Sequence, residues 1–97
     1  MVDIINKNIR ISKAPKAEDF RNMLKKMFSE AIEKGKDYVI IDAGELHSRV
    51  GNYPGKNSRM PNCCSVMRNE MKLLDKILYE PPSGKGSSLK IEYKLPR

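Results

Sequence analysis

The chain has 97 residues, of which 39% are hydrophobic and 32% charged, and its formal net charge is +7. This is the length of one domain and a composition within the globular range, with a core that several elements must share. No apolar run reaches the length of a bilayer crossing, and Met1–Arg10 lacks the continuous apolar stretch of a signal peptide, so a cytoplasmic protein without a membrane partner is expected.

Residues 1–15 read as an N-terminal arm, extended or forming an edge strand, with apolar Val2, Ile4, Ile9 and Ile11 around polar Asn6–Asn8. A single domain is expected over 16–97. Its first element is a helix over Lys16–Lys34. Pro15 suits the first turn, where a missing N–H costs nothing, and Glu18 and Asp19 complement the positive end of the helix dipole. Phe20, Met23, Leu24, Met27, Phe28, Ala31 and Ile32 recur at helical spacing, which predicts one core-facing stripe. Gly35 is placed to end the helix in a left-handed conformation.

The run Asp37–Ile41 is rich in β-formers and predicts a short strand. Asp42 then reads as an N-cap, with Glu45 three residues later as in a capping box and Ile41 and Leu46 as the hydrophobic staple. A second helix follows over Ala43–Val50, with Leu46 and Val50 facing inward. Gly51–Ser58 is a Gly/Pro-rich turn, longer than a compact helix-turn-helix connection. The third helix runs over about Met60–Met71 with Pro61 in its first turn. On a helical wheel Met60, Cys63, Cys64, Met67 and Met71 share one face and Asn62, Ser65 and Asn69 lie opposite, with Arg68 at the flank and Arg59 at the entrance. Two strands close the chain. Leu89–Leu95 alternates strictly, with Leu89, Ile91, Tyr93 and Leu95 on one half-buried face, and Lys76–Tyr79, with Ile77 and Tyr79, is its partner strand. The connection Glu80–Ser88, rich in Pro, Ser and Gly, predicts a flexible tip.

Charge distribution says more than net charge. From Leu46 to Asn69 there is no acid, while Arg49, Lys56, Arg59 and Arg68 lie there; Pro81–Ile91 is again free of acids and carries Lys85 and Lys90. Acid-free basic stretches favour phosphate-bearing partners. Chemistry finds little support. Gly84-Lys85-Gly86-Ser87 lacks the spacing and strand-to-helix setting of a phosphate-binding Walker loop. His47, the sole histidine, reads as a surface or cap residue. Cys63 and Cys64 are adjacent, cannot close an ordinary disulfide loop with each other and do not supply the spaced ligands that zinc requires, so they read as small core residues. No metal, cofactor or catalytic residue is expected, and an enzyme using Cys63 or His47 ranks last.

The order helix, strand, helix, turn, helix, hairpin, carried by the Asp42–Gly51 helix, the Arg59–Met71 helix and the Leu89–Leu95 strand, resembles the winged helix-turn-helix superfamily over about Lys16–Leu95. The segment Gly51–Cys64 also looks like one found in small bacterial proteins. The superfamily resemblance implies an α+β fold of three helices with a C-terminal β-hairpin wing. It also implies a regulator-like module that binds double-stranded DNA without catalysis. In that reading Asn62, Ser65 and Asn69 reach bases, Arg49, Lys56, Arg59 and Arg68 hold phosphates, and Lys85 touches the backbone or minor groove from the wing. One such module buries only ~600–1,000 Å² of surface, so a specific site calls for a homodimer, with the contact supplied by the long first helix or the arm. Some members of the superfamily dock on proteins instead, and an accessory or phage-encoded modulator that binds another protein is the alternative.

Overall fold

The computed structural model of the chain describes residues 14–51, 53, 55 and 58–97. Most of the expected N-terminal arm, and Lys56 of the expected phosphate contacts, lie outside the described residues. The fold is α+β, and among the described residues three helices are layered on a three-stranded antiparallel sheet.

Helix α1 is Ala17–Glu33. The Lys16 backbone N–H donates to the Asp19 carboxylate at 2.8 Å, closing the first turn. Pro15 therefore lies just before the N-cap rather than inside the first turn. At the other end Gly35 takes φ +77°, and the N–H groups of Gly35 and Lys36 donate to the carbonyls of Ile32 and Ala31. This is the paired hydrogen-bond pattern of a glycine-terminated helix. Phe20, Leu24, Met27, Phe28 and Ala31 are buried, while Ile32 is 39% exposed.

Strand β1, Tyr38–Asp42, runs directly into helix α2, Ala43–Val50. Asp42 Oδ1 accepts from the Glu45 N–H at 2.8 Å, so the switch from strand to helix occurs where the cap signal placed it. Helix α3 is Met60–Asn69, strand β2 Lys76–Tyr79 and strand β3 Lys90–Lys94. The sheet order is β1-β3-β2, with β3 pairing Ile91 to Ile41 and Tyr93 to Val39. The inward residues Leu89, Ile91 and Tyr93 are fully buried beneath the helices. Tyr93 also fixes α3: its hydroxyl donates to the Met67 carbonyl at 2.8 Å, and its ring meets that of Phe28 edge-on at 4.9 Å.

The hairpin departs from regular pairing and from the expected flexible tip. Ile77 and Tyr79 do not share an inward face. The β2–β3 register slips between them, so that Ile77 opposes Ile91 and Tyr79 opposes Lys90, and every residue of β2 is exposed. A one-residue slip sends the following side chains to the other face. Nor is the β2–β3 connection a free tip. The carbonyls of Ser87 and Leu89 accept from the Gly44 and Ala43 N–H groups, both at 2.9 Å. The first turn of α2 has donors with no partner in its own helix, and the connection supplies acceptors for two of them. Gly86 eases this path: a Cβ there would lie 3.1 Å from Pro81 Cβ, so a larger residue would press on Pro81.

Candidate nucleic-acid interface

Helix α3 is held from below by its apolar side. Cys63 and Cys64 are fully buried, and their side chains, about 100° apart on the helix, find different acceptors. Cys63 Sγ donates to the Ala43 carbonyl at 3.5 Å and Cys64 Sγ to the Gly86 carbonyl at 3.4 Å. Burial, aided by the neighbouring Cys64, pushes the Cys63 thiol up to about 12, and burial raises Cys64 as well. Neither thiol is set up to ionise as a nucleophile or metal ligand must. Among the described residues no cluster of three or more His, Cys, Asp and Glu side chains is placed to hold a metal ion.

His47, expected as a surface or cap residue, is fully buried. Its Nε2 accepts the backbone N–H of Arg59 at 2.8 Å, and its ring packs against Phe20 at 4.8 Å and Tyr53 at 5.1 Å. It is a cap, but for the start of α3 rather than for its own helix. The sequence did contain the signal: Ala43, Leu46, His47 and Val50 fall at helical spacing on one face of α2. Accepting at Nε2 requires the neutral ring with its proton on Nδ1, an atom that has no hydrogen-bond partner among the described residues. His47→Phe keeps the ring's bulk and removes the acceptor, so it is expected to lower stability by about 1–3 kcal/mol in a urea melt, the cost of an orphaned amide. A melt indistinguishable from the native one would show that the bond does not anchor α3.

The opposite side of α3 exposes Asn62, Ser65 and Asn69 in one row, as the helical wheel required. Arg59 stands exposed at the N-terminal end, its guanidinium donating to the Ser58 carbonyl at 2.9 Å. Arg68 lies at the edge of the row, half-buried and paired with the Glu80 carboxylate. The β2–β3 connection runs alongside. Gly86 touches Cys64, and a Cβ at Gly84 would approach Arg68 Nη2 to 4.0 Å, which brings the exposed Lys85 to the flank of the helix. Arg59, Asn62, Ser65 and Asn69 are thus exposed on α3, with Arg68 at their edge and the 84–86 turn beside Arg68.

Arg49 does not join them. Its guanidinium is turned toward α1, 3.1 Å from Glu30 and 3.8 Å from Glu45, on the wall of an open groove between α1 and β1. Two carboxylates thus lie against the side chain that was expected to hold a phosphate.

A buried ion pair with no marker in the sequence lies at the other end of α3. Arg97 donates to Asp75 at 2.8 Å and to the Glu70 carbonyl at 2.6 Å, and its guanidinium lies 4.8 Å from the Phe28 ring centre and 5.1 Å from that of Tyr93. This clasp ties the chain end to the exit of α3 and to the core.

Comparison of the chain with protein-family models, with curated proteins and with solved structures finds no match. The functional reading therefore rests on the site itself.

Proposed function

We propose that this chain is a duplex-DNA-binding module of the winged helix-turn-helix type, a regulator-like protein that works by contact and not by catalysis. The observation that carries the reading is the acid-free outer row of α3, with Asn62, Ser65 and Asn69 flanked by Arg59 and Arg68. The element order, with β3 central and a β2–β3 connection running beside α3, is the order of that superfamily and supports it.

In this reading α3 enters the major groove. Asn62 and Asn69 stand seven residues apart, about two helical turns, so each faces a different base step. An asparagine amide pairs with adenine through one donor and one acceptor, which neither a serine nor an arginine reproduces. Arg59 and Arg68 meet phosphates on either side and fix the register, and Lys85 adds a contact from the neighbouring loop. His47 contributes indirectly, by holding the backbone at the helix entrance.

A second reading is favoured by a different feature, the exposed apolar side chains around β2, which suit a protein partner. Fluorescence anisotropy with labelled random duplex separates the two. Salt-sensitive binding at low ionic strength is the expected result. No binding even at low salt would overturn the DNA reading in favour of protein docking.

A further inference from the structure

The sheet has a second face, turned away from the helices. Ile41, Ile91 and Tyr93 point inward and are fully buried, so by alternation Tyr38, Ile40 and Asp42 of β1 and Lys90, Glu92 and Lys94 of β3 point outward. The register slip puts Tyr79 of β2 on the same side, opposite Lys90, and Lys76 joins it opposite Glu92. Residues directly opposite one another share a face. Tyr38 thus stands against Lys94 and Tyr79 against Lys90, two aromatic–lysine pairs at opposite corners of one surface. The two tyrosines lie about 13 Å apart along the strands and roughly 10 Å apart across them. Each is 49% exposed, and Ile40, the next outward residue of β1, is 44% exposed. Lys76, Lys90 and Lys94 are exposed, and among the described residues no carboxylate lies within ion-pair distance of any of them. Asp42 and Glu92, the acids on this side, have other roles. Asp42, opposite Lys90, turns an oxygen to the Glu45 N–H and faces the positive end of α2, and Glu92 stands across from Lys76.

We infer that this outer sheet face binds single-stranded nucleic acid, with bases stacked on Tyr38 and Tyr79 and phosphates met by the lysine beside each ring. A single strand offers flat bases and a charged backbone at every nucleotide, and it is held by aromatic side chains interleaved with cations. The pairing of Tyr38 with Lys94 and of Tyr79 with Lys90 supplies that combination twice on one rigid surface. A duplex does not fit here, because its bases are stacked on one another and offer no free ring face to a tyrosine. A protein partner calls for a contiguous apolar patch, whereas lysines separate the rings on this face. The site is made of stacking and phosphate contacts, so it is tolerant of sequence. It lies across the sheet from the helices and shares no residue with the duplex-binding reading of α3.

Fluorescence anisotropy of the full chain with labelled oligothymidylate and oligouridylate of about eight nucleotides tests this. Binding is expected at about 50 mM salt and up to about 100 µM chain, the range of sequence-independent contacts. The tighter of the two strands identifies DNA or RNA as the occupant. Tyr38→Ala and Tyr79→Ala should each weaken binding about tenfold, at the lower end of what one stacked base contributes, while Tyr38→Phe keeps the ring and the affinity. Both tyrosines lie outside the core, so the melting curves of these variants should match the native one, and Tyr38→Ala should leave duplex binding unchanged. With three lysine contacts the slope of log K against log salt should be near −2.1, flattened to about −1.4 by Lys94→Ala. A native chain that binds neither oligonucleotide at low salt would overturn the inference, whatever covers the face. So would binding that both tyrosine variants leave intact, and a loss caused by Arg59→Ala alone would place the strand on α3 instead.

Discussion

Replacing Arg97 with Ala should lower stability by about 3–5 kcal/mol, the cost of leaving one partner of a buried ion pair alone. The side chain of Arg97 is 7% exposed and that of Asp75 1%. The pair belongs to a satisfied network in which Asp75 also accepts the backbone N–H groups of Lys72 and Lys94, each at 2.7 Å. Removing the guanidinium leaves the carboxylate with these two amides, empties the space over Phe28 and Tyr93, and takes a donor from the Glu70 carbonyl. Arg97→Lys keeps the charge but lacks the planar fork that reaches several acceptors at once, so an intermediate loss is expected. Urea melts at neutral pH measure both, and an Arg97→Ala loss below about 1 kcal/mol would show that the clasp contributes no more than an exposed pair does.

The same network predicts a pH dependence. Burial works against ionisation of Asp75, but the amides of Lys94 and Lys72 and the Arg97 guanidinium outweigh it and hold the carboxyl below its ordinary value of 3.8. A carboxyl depressed by folding contributes stability that is complete above its unfolded value and is lost as pH falls through its folded one. The stability gap between the native chain and Asp75→Asn should therefore be constant from neutral pH down to about pH 5 and shrink below about pH 4. A gap that grew on acidification would reverse the assigned sign.

What the sequence could reveal was set by the range of the interactions involved. The Asp42 cap, the α1 stripe and the β3 alternation each depend on residues within one or two turns or one strand, and local signals agreed with one another there. The outer row of α3 was legible for the same reason. The misplaced features depend on distant partners. Arg97 and Asp75 are 22 residues apart, and neither position has a periodicity that marks it. The absence of acids from Leu46 to Asn69 suggested a free Arg49, but Glu30, 19 residues earlier in a segment of mixed charge, is folded against it. The β2–β3 connection has the composition of a mobile loop, yet the first turn of α2 orders it by offering two N–H donors. The slip between Ile77 and Tyr79 has no sequence marker of its own, and a period-two reading carries straight through it.

Pairing of Arg49 with Glu30 and Glu45 changes the expected strength and salt dependence of DNA binding. Arg59, Arg68 and Lys85, together with Lys56 of the sequence expectation, remain to meet phosphates. Neutralising about four phosphates gives a slope of log K against log salt near −3.6, so raising salt from about 50 to 200 mM should weaken duplex binding roughly 150-fold. Arg59→Ala should remove one contact, flatten the slope to about −2.7 and leave roughly a 40-fold loss over the same range. Arg68 differs because the Glu80 carboxylate already holds its guanidinium. A phosphate must compete with that carboxylate, so part of the binding free energy of this contact goes into breaking the ion pair. Glu80→Gln removes the competitor and keeps the shape, and it should strengthen binding, whereas Arg68→Ala should weaken it. With Ala at position 68, Glu80→Gln should have far less effect, since the carboxylate no longer restrains a cation. Asn62→Ala and Asn69→Ala belong to a different class: each should relax preference at one base step, by about 1–3 kcal/mol of discrimination, and leave the slope unchanged. Anisotropy titrations at several salt concentrations read out the whole set. If Glu80→Gln changes affinity equally with and without Arg68, its effect comes from general electrostatics, and Arg68 is a structural partner of Glu80 rather than a phosphate ligand held in reserve.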